Sequence, residues 1–314
     1  MRLSPGVWIT PVVRLVRPLG AGGMSTVWVA AHMRLHTQVA VKVLAMELRR
    51  DDNARARFRR ESRLWSLIQS PHLVQTLDAG ELEDGTPFMV MEWLEGETLS
   101  QRLERERNLS PYDTLAIVQQ LGRALTSAHT AGVVHRDIKP ANLFLLRSTS
   151  TPLLKVLDFG VAKRTAHATF NDTVAVRTLA DEPLGTPHFM SPEQLRSPSE
   201  VDHATDLWAV AVVTYRLLLG VRPFDAEDFP ALCFSILSGE FAVPTSFDPS
   251  WPAGLDGWFR RAFSLQPRSR FESAEHAVRE LEQALAPLGP HRPRPAPAPA
   301  DELDDGDEPQ TRPR

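Results

Sequence analysis

Lysine is scarce in this chain. Of its 35 basic residues only four are lysine (Lys42, Lys139, Lys155 and Lys163), and all the others are arginine. A GC-rich genome explains such a bias in general. Arginine is nevertheless a poor replacement wherever a compact ammonium group is needed, because the guanidinium is larger and planar. The four retained lysines are therefore candidates for positions where the chemistry opposes replacement.

Other absences exclude whole classes of protein. The single cysteine, Cys233, cannot form an internal disulfide, which favours a reducing compartment. The most apolar run, 207–215, is too short to span a bilayer, and the N-terminus has no apolar signal segment. We therefore expect a cytoplasmic protein with no membrane partner. The formal net charge of −4 gives no sign of nucleic-acid binding. A content of 42% hydrophobic and 24% charged residues is typical of a globular protein.

The first 93 residues are rich in predicted strands. Apolar and β-branched runs at 12–19, 27–31, 38–44 and 88–93 have strand length. One helix is expected between about 51 and 68, capped by an Asp or Asn. Glu61 lies three residues after Phe58 and four before Trp65, so it shares their apolar face. A carboxylate on such a face requires a cationic partner inside the protein.

From Leu99 onward, helical periodicity dominates. Ser110-Pro111 predicts the start of a helix that ends at Gly132. Two short strands, at 143–146 and 153–157, are joined by a Ser/Thr-rich turn. Further helices are expected near 204–219, 228–238, 254–264 and 273–286.

The last 28 residues differ from the rest. Residues 287–314 contain eight prolines and the acidic run 301–308, which predicts a disordered tail. The tail is either a passive solubilising segment or a ligand for a proline-binding module or a basic partner.

A glycine-rich stretch, 20–23, lies between two predicted strands. Glycine lets the backbone approach phosphates closely, and its N–H groups can bind anions. A dinucleotide-binding fold would need a helix directly after the glycines, and a P-loop would need a Gly-Lys-Ser/Thr sequence. Neither follows here. The stretch alone is therefore weak evidence for a nucleotide site.

Lys42 ends the apolar sequence Val39-Ala40-Val41-Lys42. It is either a solvated lysine on a strand or a buried ammonium group paired with the inward-facing Glu61. The scarcity of lysine favours the second interpretation, in which a compact cation reaches phosphates and neutralises the buried acid.

The segment 135–142 places an acid, a base and an amide within eight residues of a predicted loop. Asp137 can accept a hydroxyl proton as a general base. Asn142 can supply a metal-ligating oxygen, and Lys139 is close enough in sequence to contact a transferring phosphoryl group. An Asp-Phe-Gly sequence begins at Asp158, sixteen residues after Asn142, and its carboxylate suits Mg²⁺.

In this order the motifs resemble the catalytic domain of the eukaryotic-type (Hanks-type) Ser/Thr protein kinases, bacterial group, over residues 12–286. The resemblance implies an α+β, two-lobed fold. The β-rich N-lobe with one key helix would cover 1–94, the mainly helical C-lobe 95–286, and the disordered tail 287–314. It also implies ATP and Mg²⁺ as cofactors, with Mn²⁺ as an alternative metal, and protein substrates as partners. The resemblance leaves open whether the chain forms a homodimer.

The resemblance also implies a role for each matching residue. The catalytic residues would be Asp137, Lys139 and Thr186, and the metal ligands Asn142 and Asp158. The ATP-binding residues would be Leu19, Gly20, Ala21, Gly22, Gly23, Val27, Ala40, Lys42, Glu61, Met91, Glu92, Leu94 and Phe144. Among them, Val27, Ala40 and Phe144 would enclose the adenine, the backbone of 92–94 would be the hinge, and Met91 the gatekeeper.

The substrate class follows from the same resemblance. Lys139-Pro140, and Gly185-Thr186-Pro187 ahead of Ser191-Pro192-Glu193, are similar to Ser/Thr kinases rather than tyrosine kinases, although Ser191 replaces the usual alanine. Glu193 is expected to pair with Arg270, and Asp206 to anchor the helix behind the catalytic loop.

Regulation is expected in the threonine-rich segment 158–193. We predict autophosphorylation at Thr173 or Thr178, with the phosphate bound by Arg136 and Lys163. The alternative is that these threonines are solvated loop residues.

Each alternative function predicts that particular residues would be missing from the sequence. A non-catalytic pseudokinase would lack at least one catalytic position, and a metabolic or antibiotic phosphotransferase would lack Thr186, the Ser-Pro-Glu sequence and Arg270. All of these are present. Lys155 receives no role, so Lys155→Arg is expected to be nearly silent.

Overall fold

An antiparallel sheet of six strands and one long helix form the N-terminal part of the molecule. In this computed structural model the described residues are 3–21, 24–147, 152–157, 187–197 and 201–289. The strands are β1 Trp8–Thr10, β2 Val13–Ala21, β3 Ser25–His32, β4 Thr37–Leu44, β5 Thr76–Glu81 and β6 Pro87–Glu92. Their order in the sheet is β1-β2-β3-β4-β6-β5. The four strands expected from the sequence are present.

Helix α1, Asp52–Leu67, is the single long helix of this part, as expected. Asp51 caps it, since its side chain accepts hydrogen bonds from the backbone N–H groups of Asn53 and Ala54. Phe58, Glu61 and Trp65 are all buried, which confirms that the acid lies on the apolar face.

The two faces of the sheet belong to different cores. Val27 of β3 and Met89 of β6 are the cross-strand partners of Lys42, and cross-strand partners share one face. That face packs in the main hydrophobic core. The opposite face, which includes Val39 and Val41, packs in a smaller core with the N-terminal segment. The strand register therefore places Lys42 on the face of the sheet that packs in the main core, which we call the inner face.

The second part of the molecule is mainly helical. Within the described residues its α-helices are α2 Leu99–Glu106, α3 Pro111–Thr130, α4 Pro192–Arg196, α5 Ala204–Leu219, α6 Phe229–Ser238, α7 Pro244–Phe247, α8 Ala253–Ala262 and α9 Ala274–Leu285. A small sheet, in the order β7-β8-β9, comprises β7 Gly96–Thr98, β8 Leu143–Leu146 and β9 Leu154–Val156. Helix α5 is central, because all of its residues except Arg216 are buried.

The segment between α1 and β5 is attached to the second part of the molecule. The Val156 N–H donates to the His72 carbonyl at 2.8 Å, and the Val74 N–H donates to the Val156 carbonyl at 3.1 Å. These bonds enclose a parallel bridge between Leu73 and Val156. The C-terminal end of α1 is therefore linked to β9.

This architecture is the expected α+β, two-lobed fold, with a β-rich N-lobe and a mainly helical C-lobe. The lobe boundary at residue 94 stays a prediction, and so does the disordered tail, since 290–314 lie outside the described residues. None of the helices in the described ranges is long and apolar enough to cross a membrane.

Candidate active site

Lys42 and Glu61 form a buried ion pair. The Lys42 Nζ lies 2.8 Å from the Glu61 Oε1, and the two residues are only 6% and 4% exposed. Burying either charge alone would be costly, so each requires the other. The expected pairing is present, and it fixes the ammonium group on the inner face of the sheet.

The sheet positions several predicted ATP-binding residues around this pair. Ala40 lies two residues before Lys42 on β4 and therefore faces the same side, and its cross-strand partner on β6 is Met91. Val27 is directly opposite Lys42 on β3. The strand β2 places Leu19, Gly20 and Ala21 at an exposed position near the end of the sheet. Phe144 lies elsewhere, on β8 of the small sheet.

The loop between α3 and β8 brings three predicted residues together. The Asn142 Nδ2 donates to the Asp137 backbone carbonyl at 2.8 Å and to the Asp137 Oδ2 at 2.9 Å. The Lys139 Nζ lies 3.3 Å from the same Oδ2. The carboxylate is thus held by an amide and a cation, with its orientation fixed before any substrate arrives.

Asp206 of α5 fixes the backbone of this loop. Its carboxylate accepts the His135 N–H at 2.9 Å and the Arg136 N–H at 2.7 Å, and it contacts the His129 Nε2 at 2.8 Å. Burial by itself raises the pKa of the Asp206 carboxyl. The hydrogen bond and charge of His129, the charge of His135 and the Arg136 amide outweigh burial, so the pKa lies below its ordinary value. Asp206 is therefore an ionised anchor, as expected.

Arg136 has a left-handed backbone, with φ of 67°. This conformation costs about 1–2 kcal/mol for a residue with a side chain, so surrounding contacts must maintain it. The Arg136 N–H is bound by Asp206, and its carbonyl accepts a hydrogen bond from the Gln194 Nε2 at 3.0 Å. Its guanidinium donates to the Val201 carbonyl at 2.9 Å. The strained residue directly precedes Asp137 and helps to aim it.

Lys155 has a partner that the sequence did not reveal. It is 8% exposed, and its Nζ lies 2.6 Å from the Glu92 Oε1 and 3.2 Å from the Leu73 carbonyl. Glu92 is the last residue of β6 and the first of the expected hinge, and Leu94, the last residue of that hinge, is half-buried and packs against the main core. The sequence assigned no role to Lys155, whereas in the structure its ammonium group connects Glu92, at the end of β6, to β9.

The segment 187–197 is held by contacts with α5 and with the loop between α3 and β8. Arg270 binds Glu193 through two contacts, of 2.7 and 2.9 Å, as expected. Ser191 caps α4 by accepting from the Gln194 N–H, and its hydroxyl lies 2.6 Å from that of Thr205. The replacement of alanine by serine thus adds a helix cap and a buried hydrogen bond.

Six predicted site residues lie outside the described residues: Gly22, Gly23, Asp158, Thr173, Thr178 and Thr186. Their roles stay predictions. Lys163, which was expected to bind a phosphate with Arg136, lies outside them as well.

Comparison with known proteins agrees with this geometry. Residues 13–258 match the family model of the protein kinase domain, and the chain belongs to that family. Among curated proteins it is 39% identical over 268 residues to the serine/threonine-protein kinase pkn3 of Myxococcus xanthus, covering 84% of this chain and 48% of pkn3. It is 33% identical to PknB of Mycobacterium tuberculosis, covering 84% of this chain and 41% of PknB. The chain thus spans less than half the length of these relatives.

Solved structures agree on the fold. The kinase domain of Mycobacterium tuberculosis PknI aligns with a TM-score of 0.67 at 26% identity, covering 90% of this chain and 100% of that one. The expected resemblance to the bacterial group of Hanks-type kinases is confirmed by these relatives.

Proposed function

We propose that this chain is a serine/threonine protein kinase, which transfers the γ-phosphoryl group of Mg-ATP to Ser and Thr hydroxyls of protein substrates. The observation that carries the proposal is the Asp137 carboxylate, whose Oδ2 lies 2.9 Å from the Asn142 Nδ2 and 3.3 Å from the Lys139 Nζ. A domain that only bound nucleotide would have no need of this oriented carboxylate.

The inner face of the sheet suits the nucleotide. Lys42, held by Glu61, would contact the α- and β-phosphates as a fixed point charge. Val27, Ala40 and Phe144 would enclose the adenine, Met91 would limit the depth of the pocket, and the backbone of 92–94 would bind the base edge. The loop that contains Gly20, Gly22 and Gly23 would cover the phosphates.

The loop between α3 and β8 offers an oxygen atom that could bind a divalent cation. Both hydrogen bonds found for the Asn142 side chain use its Nδ2, so within the described residues its Oδ1 is available as a ligand. Asn142 and Asp158 would hold Mg²⁺, which accepts few protein ligands and keeps others from water and phosphate. The bound cation would neutralise charge on the phosphates during transfer.

Asp137 would act as the general base. Its carboxylate would accept the proton of the substrate hydroxyl as that oxygen attacks the γ-phosphorus. Lys139, already 3.3 Å from the Asp137 Oδ2, would stabilise negative charge on the transferring group. Thr186 would help to position the substrate hydroxyl beside Asp137.

The test is phosphoryl transfer from labelled ATP in the presence of Mg²⁺, to the chain itself and to a carrier protein. We expect Asp137→Asn to lower the rate about 10²–10⁴-fold, the range typical of a lost general base. Lys42→Arg should lower it at least about 100-fold, because the larger guanidinium misplaces the phosphates. Arg279→Lys, an exposed change on α9, is the matched control. Nucleotide binding without transfer in the wild type would refute the proposal and support a scaffold.

Autophosphorylation forms the second part of the proposal. Arg136 precedes Asp137, and phosphate on Thr173 or Thr178 would add charge that basic side chains can bind, ordering the segment 158–193. Mass spectrometry of the active enzyme should find phosphate on one of these threonines, and its absence throughout 165–178 would contradict the idea. The cytoplasmic location, a homodimer and a partner for the tail stay predictions.

A further inference from the structure

Arg216 is the exception in the central helix. Every other residue of α5 is buried, whereas Arg216 is half-buried near the C-terminal end of the helix. Within the described residues its guanidinium has neither a hydrogen bond nor a salt bridge. A partly desolvated cation that lacks a direct hydrogen bond or salt bridge is unfavourable unless an anion can approach it.

A second cation, Arg222, follows six residues later and acts on the charge of Arg216. Burial lowers the pKa of Arg216, and the neighbouring charge of Arg222 lowers it further, although Asp225 acts in the opposite direction. The Arg222 Nη1 is 3.4 Å from the Asp225 Oδ1 and 3.0 Å from the His188 Nε2. The same His188 atom lies 2.9 Å from the Asp225 Oδ1. Asp225 therefore contacts Arg222 and acts on Arg216 only through its charge, so that one carboxylate stands against two guanidinium groups.

A short segment connects this cluster to the loop between α3 and β8, which contains Asp137. His188 belongs to the turn 187–189, which packs against α5 and α6. Six residues later, Gln194 donates to the carbonyl of Arg136, the residue before Asp137. One short segment therefore contacts the arginine cluster at one end and the catalytic loop at the other.

We propose that Arg216 and Arg222 form a subsite for an acidic side chain of the protein substrate. The inference rests on the proposed kinase function and adds a sequence preference to it. An Asp, a Glu or a phosphorylated residue near the acceptor hydroxyl would pair with the two guanidinium groups, which suit carboxylate and phosphate oxygens. The site would recognise the negative charge that carboxylate and phosphate groups have in common.

The experiment is a positional peptide array around a central Ser or Thr. At each of the four flanking positions on either side, Ala is compared with Asp, Arg and phosphoserine. We expect an acidic residue in at least one position to lower KM about tenfold, the gain typical of one charge-assisted hydrogen bond, with little change in kcat. The Asp and phosphoserine arms separate a carboxylate from a phosphate preference.

Variants identify the residues responsible. Arg216→Gln and Arg222→Gln should each reduce the acidic preference, and Arg216→Lys should retain part of it because the charge remains. Arg216→Glu should shift the preference toward basic peptides. Arg279→Gln on α9, which packs against α3 and α8, is the control and should change nothing. Melting temperatures show whether each variant is folded.

The outcomes separate the two proposals. Transfer to peptides without an acidic preference, or a preference that survives substitution of both arginines, would overturn the subsite and leave the kinase function intact. Failure to phosphorylate any peptide or the chain itself would overturn both.

Discussion

Replacement of Lys155 by methionine should destabilise the protein measurably. Lys155 is 8% exposed, and its ammonium group contacts both the Glu92 carboxylate and the Leu73 carbonyl. Methionine keeps a similar length and apolar stem, so the change removes the charge without leaving a large cavity. Glu92 is then left without its cation.

The size of the effect follows from what remains around Glu92. Removing one member of a fully buried ion pair costs about 3–5 kcal/mol. Here the Glu92 side chain is 25% exposed and also accepts the Gln75 N–H at 2.7 Å, so water and the amide retain part of its stabilisation. We therefore expect about 2–3 kcal/mol. At about 2–4 °C per kcal/mol, the melting temperature should fall by about 4–12 °C.

A double-mutant cycle with Glu92→Gln tests the reasoning. Urea unfolding and thermal melts of the wild type, both single variants and the double variant yield the coupling between the two side chains. If the pair is responsible, Lys155→Met should cost at least about 1 kcal/mol less when Glu92 is already Gln. An equal cost in both backgrounds would refute the ion-pair explanation. Lys155→Arg should also be destabilising rather than silent, because the larger guanidinium must fit the same buried site.

Three further predictions concern stability and reactivity. Ser191→Ala should lower the free energy of unfolding, measured in urea, by about 1–2 kcal/mol, since it removes the cap of α4 and the hydrogen-bond partner of Thr205; an unchanged midpoint would contradict this. Burial raises the pKa of the Cys233 thiol to about 11, so at pH 8 a thiol reagent should modify the folded protein far more slowly than the denatured protein. The hydrogen bond from Arg105 holds the pKa of Glu97 at about 2, below its ordinary 4.5. Glu97→Gln should therefore be less stable than the wild type at pH 7, and the difference should disappear as the pH falls from 4.5 toward 2; a difference independent of pH would argue against the ion pair.

The sequence predicted those structural features whose residues form a recognisable pattern within one continuous stretch of chain. The helix around Glu61 followed from the spacing of its apolar residues, and the Lys42–Glu61 pair followed from an acid on an apolar face together with an unusual lysine. Strand β5, Thr76–Glu81, was missed because all of its residues are half-buried or exposed and show no alternation. Its position in the sheet depends on pairing with β6.

The contacts of Lys155 could not be predicted for a related reason. Glu92 and Lys155 are 63 residues apart and lie on strands of different sheets, so no periodicity relates them. That Arg216 makes no hydrogen bond or salt bridge within the described residues is equally a property of the folded surroundings. Sequence motifs identified residues that resemble known chemistry, whereas these two features depend on which neighbours the fold supplies.

The segment 71–74, which follows helix α1, is attached to β9. The C-terminal end of α1 is therefore fixed, and the helix can rotate about that end. The helix has 16 residues and is therefore about 24 Å long, and Glu61 lies about 9 Å from the attached end. A 10° rotation about that end would displace Glu61 by about 1.6 Å and the Asp52 end by about 4 Å. Such a displacement would separate Glu61 from Lys42, whose contact is 2.8 Å. A small angular change at the solvent-facing end of α1 is therefore sufficient to make or break the ion pair on which the proposed nucleotide site depends.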